Sequence, residues 1–388
     1  MWSITHVAQV IFAVSCAAGL YVLFGYPLLL RVLGALRPAR PVVRQFVPRT
    51  VSVILPVRDG EPFIGKKLEW ILGLDYPKEL MQILVVDDGS TDRTPEIVDA
   101  FADRGVERLS VKAGGKAAAL NAGLARATGE ILFFTDVRQE LEPNALRSLV
   151  EHFADPEVGV VSGELVIRQG ETHHEADIGL YWRYEKAIRR RLSKMDSVLG
   201  ATGCIYAMRR SLAVPIPPDI LVDDMFLPLA AFFKGYRVIF DDDARAYDYP
   251  TALRSEFRRK VRTLAGNWQL LRHYPKLLLP TNRMWLHFLS HKLGRCLMPA
   301  GLIAIAATTP FLPQPYLTIA AGSQGLLYGL ALLGGVLDHD SPLKRLTSLP
   351  RTFVVFVLAA LVACQIFLPG ERKLWTVTQV RSGPPAAR

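Results

Sequence analysis

The stretch Val85-Val86-Asp87-Asp88-Gly89-Ser90-Thr91-Asp92 is the strongest indication of how the middle of this chain folds. An apolar run ends in two acids, and the residues that follow favour turns and helix caps. An acid at the carboxyl end of a strand can accept hydrogen bonds from a nucleotide base or ribose. It can equally cap the next helix, and this stretch alone leaves both interpretations open.

Short β-branched runs alternate with helical patterns on both sides of this stretch. The predicted strands are Val51–Val57, Gln82–Val86, Glu130–Thr135 and Val158–Gly163, and the predicted helices lie near Glu61–Leu72, Thr94–Arg104 and Lys116–Ala127. This alternation predicts an α/β fold with a doubly wound, mainly parallel sheet. Such sheets bind ligands at the carboxyl ends of their strands.

Both ends of the chain are more apolar than the middle. Half of the 388 residues are hydrophobic. Residues 7–30 carry no charge, and at ~1.5 Å per residue they can cross a hydrocarbon core of ~30 Å. Residues 1–6 lack the positive charge of a signal peptide, whereas arginines follow the segment. This asymmetry predicts an uncleaved membrane helix followed by a cytosolic domain.

The net charge of +10 suits two kinds of anionic partner, which are nucleic acid and anionic phospholipid. The basic residues crowd beside apolar stretches, which favours phospholipid and predicts no nucleic-acid partner. The four cysteines show neither zinc-site nor disulfide spacing. The apolar segments at both ends of the chain predict a multi-pass protein of the inner or plasma membrane.

Three further motifs accompany the first one in a fixed order. They are the run Val51–Gly60 (VSVILPVRDG), the run Gly114–Gly123 (GGKAAALNAG) and the run Phe133–Asp136 (FFTD). Together they resemble the family 2 glycosyltransferases, over residues 50–270. Membrane helices on both sides resemble the polysaccharide-synthase branch of that family. The resemblance implies the glycosyltransferase-A fold of nucleotide-diphospho-sugar transferases.

The resemblance also implies a role for each matching residue. Pro56 and Asp88 would line the uridine pocket with Asp87 nearby, and Lys116 would approach the nucleotide or its phosphates. Asp136 matches the first acid of the Asp-x-Asp metal site, for which Mg²⁺ or Mn²⁺ suits the oxygen ligands. The ion would offset charge on the departing UDP.

The second acid of that metal motif is replaced by Arg138, which could contact a phosphate directly. Farther along, Asp223-Asp224 resembles the acidic element before the next helix of the family. The resemblance makes Asp224 the general base of an inverting transfer, with Asp223 assisting it. The alternative is that the two acids only cap a helix.

The processive members of the family carry the motif Gln-x-x-Arg-Trp, and the matching run here is Arg259–Thr263. Arg262 is retained and could bind the diphosphate. The tryptophan is replaced by Thr263, which counts against polymer synthesis.

The predicted organisation has six parts. They are a transmembrane helix (1–30), a basic linker (31–50), a cytosolic glycosyltransferase-A catalytic domain (51–250), amphipathic interfacial helices (251–292), C-terminal transmembrane helices (293–370) and a tail (371–388). The predicted function is inverting, metal-assisted transfer from a UDP-sugar donor to a lipid or polysaccharide acceptor. The alternatives are a processive polysaccharide synthase and a non-catalytic scaffold that binds nucleotide-sugar.

Overall fold

The computed structural model describes residues 4–36, 39–168, 173–249, 253–337 and 343–368. The predicted tail, 371–388, lies outside the described residues. The chain divides into two units. Residues 39–168 and 189–249 form an α/β unit, and residues 4–36, 173–188, 253–337 and 343–368 form a helical unit.

Within the described residues, the α/β unit is built on a sheet of eight strands in the order β3-β2-β1-β4-β7-β6-β8-β5. The strands are β1 (Val51–Val57), β2 (Met81–Asp87), β3 (Val106–Ser110), β4 (Ile131–Phe134), β5 (Glu140–Leu141), β6 (Val158–Ile167), β7 (Tyr206–Arg209) and β8 (Arg237–Asp248).

The described part of the chain forms helices as follows. They are α1 (Ile4–Leu20), α2 (Tyr26–Leu36), α3 (Glu61–Leu72), α4 (Thr94–Asp99), α5 (Lys116–Arg126), α6 (Ala145–Glu151), α7 (His173–Met195), α8 (Asp223–Phe233), α9 (Leu253–His273), α10 (Trp285–His287), α11 (Gly294–Thr308), α12 (Tyr316–Val336) and α13 (Lys344–Ala363). Two π-helical segments, Tyr21–Gly25 and Phe288–Leu293, join helices of the helical unit.

The sheet is mainly parallel, as predicted. Strand β1 pairs in parallel with β2 and β4, β2 with β3, and β6 with β8. The β-branched residues of β1 are buried on both faces of the sheet, which is the pattern of a central parallel strand. Because β1, β2 and β4 run in one direction, the residues after Val57, Asp87 and Phe134 emerge at one edge of the sheet. That edge carries the predicted site.

Strand β7 departs from the simple alternation because it pairs antiparallel with both β4 and β6. Its register places Tyr206 opposite Phe134, and the two rings stack with centroids 4.6 Å apart. The loop before β7 therefore reaches the same sheet edge as the end of β4. This strand brings the Gly200–Cys204 turn beside the acids that follow β4.

The helical unit contains four segments long and apolar enough to cross a membrane. They are Ile4–Leu36, Trp285–Phe311, Tyr316–Val336 and Leu346–Phe367. The first extends beyond the predicted end at residue 30, and the second begins before the predicted start at residue 293. Polar residues such as Lys292 and Arg295 interrupt the apolar pattern in the second segment and conceal its length in the sequence.

Arg295 has an acidic partner within the helical unit. Its Nη1 atom lies 2.5 Å from Oε1 of Glu185, which is on α7, and Nε2 of His291 lies 3.3 Å from the same oxygen. A charge inside an apolar segment is costly unless it is paired. The Glu185–Arg295 pair accounts for the presence of an arginine there.

Candidate active site

The two acids after β2 build the loops around the predicted nucleotide pocket. Oδ1 of Asp87 accepts a hydrogen bond from the Ser90 N–H at 2.9 Å. Asp88 accepts from the N–H groups of Gly114 (2.7 Å) and Gly115 (2.9 Å to Oδ2). Both carboxylates are buried. Asp88 therefore ties the end of β2 to the glycine loop that leads into α5.

Pro56 lies one residue before the end of β1 and pairs with Val86, the residue before these acids. The loop after β1 is closed by Asp59, which has a positive φ of 49° and accepts a hydrogen bond from the Thr91 N–H at 2.7 Å. The loops after β1 and β2 therefore hold each other in place. Nucleotide contact by Pro56, Asp87 and Asp88 stays a prediction.

Lys116 connects the predicted metal ligand to the predicted catalytic pair. Gly115 precedes it with φ +83°, a backbone conformation that favours glycine. Helix α5 then begins at Lys116. Its Nζ atom lies 3.1 Å from Oδ1 of Asp136 and 3.3 Å from Oδ2 of Asp223. Three residues that are far apart in the sequence thus meet at one point.

The electrostatics of this cluster are dominated by negative charge. Burial lowers the pKa of Lys116, but the carboxylates of Asp136, Asp223 and Asp224 outweigh it and hold that pKa above its ordinary value. Lys116 is therefore fully charged at neutral pH. A protonated lysine among three acids is a permanent cation at the place where the resemblance locates the diphosphate.

Asp224 is held by the Gly200–Cys204 turn (the acceptor-side turn), which lies against the predicted base. The Ala201 N–H donates to the backbone oxygen of Asp224 at 2.7 Å. A Cβ atom added to Gly203 would lie 3.0 Å from Oδ2 of Asp224, so the glycine leaves room for this carboxylate. Asp223 and Asp224 are the first two residues of α8, where acids also favour the helix dipole.

Arg138 forms an ion pair away from these acids. Its Nε atom lies 3.1 Å from Oδ1 of Asp248, its Nη2 atom contacts Oδ2, and Gln139 Nε2 donates to Oδ2 at 2.9 Å. Asp248 is buried at the end of β8. Two of the three guanidinium nitrogens of Arg138 are thus engaged by Asp248, and contact between Arg138 and a phosphate stays a prediction.

Arg262 lies on α9 in the helical unit. The threonine that follows it, Thr263, donates its hydroxyl to the backbone oxygen of Arg259 at 2.9 Å. That hydroxyl is therefore engaged by its own helix. The diphosphate role of Arg262 stays a prediction.

The residues present suit a divalent ion that arrives with its substrate. In the described part of the chain, no group of three or more His, Cys, Asp or Glu side chains is arranged to hold an ion by itself. Asp136 offers a carboxylate that is 37% exposed. Mg²⁺ in particular is commonly held by one or two carboxylates together with substrate phosphates and water. Asp136 fits that donor set.

Comparison with known proteins indicates a glycosyltransferase family along most of the chain. The family model for "Glycosyl transferase family 2" matches residues 52–214, and that for "Glycosyl transferase family group 2" matches residues 139–366. A β-monoglucosyldiacylglycerol synthase from Synechocystis sp. is 34% identical over 362 residues, covering 84% of this chain and 74% of the relative.

This chain belongs to the family 2 glycosyltransferases. It is therefore a hexosyltransferase that acts on nucleotide sugars. A probable glycosyltransferase from Bacillus subtilis, YdaM, is 28% identical over 234 residues, covering 56% of this chain and 55% of that protein.

A solved structure confirms the fold. The mannosyltransferase PcManGT from Pyrobaculum calidifontis, determined with GDP-mannose and Mn²⁺, superposes with a TM-score of 0.70 at 24% identity. The match covers 92% of this chain and 99% of that one. The predicted glycosyltransferase-A fold is thus confirmed.

In this family 2 glycosyltransferase, a buried lysine that was not predicted lies beside the segment that carries Asp136. Lys67, on α3, is fully buried and donates to Oγ1 of Thr135 and to the backbone oxygen of Gln139, each at 2.7 Å. The helical pattern gave no sign of it, because a lysine in a helix is normally solvated. Tyr206, on β7, was also missed; its buried hydroxyl has no hydrogen-bond partner among the described residues.

Proposed function

We propose that this protein is a membrane-embedded, inverting, metal-assisted glycosyltransferase that moves a hexose from a UDP-sugar to a lipid acceptor. The observation that carries the proposal is the convergence of Lys116, Asp136 and Asp223 at the carboxyl edge of the sheet. This is the edge at which α/β sheets bind their ligands. Asp224 follows directly, so donor and acceptor chemistry are adjacent.

The chain's own residues divide the reaction between them. Lys116 carries a fixed positive charge toward the diphosphate, and that charge stabilises the leaving group as it separates. Asp224 takes the proton of the acceptor hydroxyl while that oxygen attacks the anomeric carbon. Attack from the side opposite the leaving group inverts the configuration at that carbon.

Asp136 is the residue that would hold the divalent ion. When bound, the ion supplies Lewis-acid stabilisation of the diphosphate oxygens. Before the donor arrives, Lys116 occupies the space beside the Asp136 carboxylate and neutralises part of its charge. Phosphate oxygens of the donor would supply further ligands, as is common for Mg²⁺.

A lipid acceptor is supported by the relatives and by the helical unit. The Synechocystis relative is named as a synthase of monoglucosyldiacylglycerol, a glycolipid. Large apolar side chains are exposed along the candidate spans, for example Phe24 (69%), Leu332 (74%) and Val336 (85%). Surfaces of this kind are stable when lipid covers them.

The alternative of a processive polysaccharide synthase has less support. The tryptophan that would stack on a growing chain is replaced by Thr263, whose hydroxyl bonds to its own helix. A non-catalytic scaffold also has less support, because the charged residues of the site converge.

The proposal is tested with the full chain, purified in detergent, against a panel of UDP- and GDP-sugars with diacylglycerol or membrane lipid as acceptor. We expect release of UDP and formation of a lipid carrying one sugar, both requiring Mg²⁺ or Mn²⁺. Products longer than one sugar would favour the synthase. Nucleotide-sugar binding without any transfer would favour the scaffold.

A further inference from the structure

Lys67 is the most deeply buried charge near the active site, with 0% of its surface exposed. Its side chain extends from α3 to the underside of the loop that joins β4 to β5. Burial of an ammonium group costs free energy because water is removed from it. Burial lowers the pKa of Lys67 to about 7, with the neighbouring Asp136 charge acting in the opposite direction.

The two acceptors of Lys67 lie on either side of Asp136. Thr135 directly precedes Asp136, and Gln139 follows it by three residues. The Nζ atom donates to Oγ1 of the first and to the backbone oxygen of the second, each at 2.7 Å. One ammonium group therefore fixes both ends of the segment that carries the predicted metal ligand.

The contacts continue from Thr135 to the acceptor side of the site. The Thr135 hydroxyl donates to the backbone oxygen of Cys204 at 2.9 Å. Cys204 ends the turn in which the Ala201 N–H donates to Asp224 and Gly203 packs against the Asp224 carboxylate. A continuous set of contacts thus runs from Lys67 through Thr135 to the predicted base.

We propose that Lys67 is a positioning residue that sets the Asp136 carboxylate and the Asp224 carboxylate relative to each other. It acts through Thr135 and the backbone of Gln139, and it does not touch the substrate. The inference rests on the proposed roles of Asp136 and Asp224. It adds a third residue, from a different helix, on which the alignment of donor and acceptor chemistry depends.

A purely structural role predicts a different behaviour. If Lys67 served only the fold, its replacement by an apolar side chain of similar length would change the unfolding temperature and leave the metal requirement and kcat unchanged. Replacement also removes the cost of burying the charge. A positioning residue contributes to function at some cost in stability. Its removal therefore leaves the fold intact and weakens metal-dependent binding and turnover. The two roles separate when folding, metal dependence and turnover are measured on one variant.

The experiment compares Lys67→Met with Lys66→Met in the full chain. Lys66 is the neighbouring residue on the same helix and is exposed, so it is a matched control. Thermal unfolding reports the fold, and calorimetric titration of UDP at increasing Mn²⁺ reports the metal concentration needed for binding. Initial rates at saturating donor and Mn²⁺ report kcat separately from KM.

We expect Lys67→Met to unfold at a temperature no lower than that of the unmodified protein. The Mn²⁺ concentration needed for UDP binding should rise ~10–100-fold, the usual effect of losing a partner behind a metal ligand. The kcat should also fall at saturating metal, because Asp224 is misaligned. Lys66→Met should match the unmodified protein in all three measurements.

A folded Lys67→Met protein whose metal requirement and kcat stay within about two-fold of normal would overturn the inference. Should that variant fail to fold, Thr135→Val decides in the same way, because it breaks the link to Cys204 and keeps the lysine. The double variant should be less impaired than the product of the single effects, since both changes break one set of contacts. An unmodified protein that binds UDP without metal would instead refute the proposed role of Asp136.

Discussion

Asp136 is the side chain on which the proposed metal requirement depends. We predict that Asp136→Ala lowers transfer by ~10³-fold or more, because the diphosphate loses several kcal/mol of charge stabilisation. Lys116 keeps its contact with Asp223, so the fold should survive. Activity and thermal unfolding of the purified variant check this. Full activity of the unmodified protein in excess chelator would contradict the assigned role.

Asp223 and Asp224 are adjacent but face different partners, and this difference separates their roles. Asp223 contacts Lys116, whereas Asp224 packs against Gly203 of the acceptor-side turn. We predict that Asp224→Asn slows turnover by ~10²–10⁴-fold, as expected for loss of a general base. Binding of UDP-sugar should be retained, and Asp223→Asn should keep more activity.

The pair of variants is compared by calorimetry for binding and by single-turnover rates for chemistry. Near-normal transfer by Asp224→Asn would move the base to another carboxylate. A loss of UDP affinity in Asp224→Asn as large as that in Asp88→Ala would have the same consequence.

Lys67 should make the free energy of unfolding depend on pH. Its pKa is about 7 in the folded protein and ~10.4 in the unfolded chain, so the unfolded state binds the extra proton between these values. Stability should therefore rise with pH in this window, by about 1.4 kcal/mol per pH unit at most. Lys67→Met should lack this rise, and denaturant unfolding between pH 7 and 10 checks it. Identical pH profiles for the two proteins would show that the lysine is not desolvated.

The sequence located the residues that follow a strand or begin a helix. Asp136 and Lys116 belong to short local patterns, and they meet because the parallel strands that precede them end at one edge of the sheet. Asp223, which begins α8, joins them only through contacts of the folded chain. Lys67 and the Arg138–Asp248 pair could not be predicted. Their partners lie far along the chain, and a charged side chain in a helix or loop gives no local sign of burial.

Secondary elements were predictable where their pattern is local. Strand β1 and helix α3 have the predicted bounds, since a β-branched run and a helical period each fit one conformation. Strand β7 was missed, because it is short and antiparallel and its burial depends on β4 and β6. The candidate span Trp285–Phe311 begins inside the segment predicted to be interfacial, because charges such as Arg295 interrupt the apolar pattern in the sequence.

The contact between α7 and α11 can be tested by removing one charge. We predict that Glu185→Ala lowers the stability in detergent by up to about 3 kcal/mol, because Arg295 is left without its acidic partner in a largely apolar setting. Adding Arg295→Leu should restore most of the loss, since the double variant has no unpaired charge. Thermal unfolding in one detergent checks both. Equal unfolding temperatures for Glu185→Ala and the unmodified protein would show that the pair contributes nothing.

The four candidate spans and the arginines after the first one predict the topology of the whole molecule. We predict that the α/β unit lies in the cytosol and that the short loop between Phe311 and Tyr316 lies outside. We predict that a membrane-impermeant thiol reagent labels Gln314→Cys in intact cells, and labels Arg104→Cys only after the cells are opened. All four native cysteines are replaced beforehand. Labelling of Arg104→Cys in intact cells would reverse the orientation.

We propose that the protein inverts the anomeric configuration of a sugar while transferring that sugar from UDP to lipid, with the help of a divalent ion. The most direct test is to incubate the purified full chain with an α-linked UDP-hexose, diacylglycerol and Mn²⁺, and to determine the anomeric configuration of the glycolipid by NMR. We expect one β-linked hexose per lipid, formed with metal, and formed ~10²–10⁴-fold more slowly by Asp224→Asn. An α-linked product, or a β-linked product formed at full rate without a divalent ion, would contradict it.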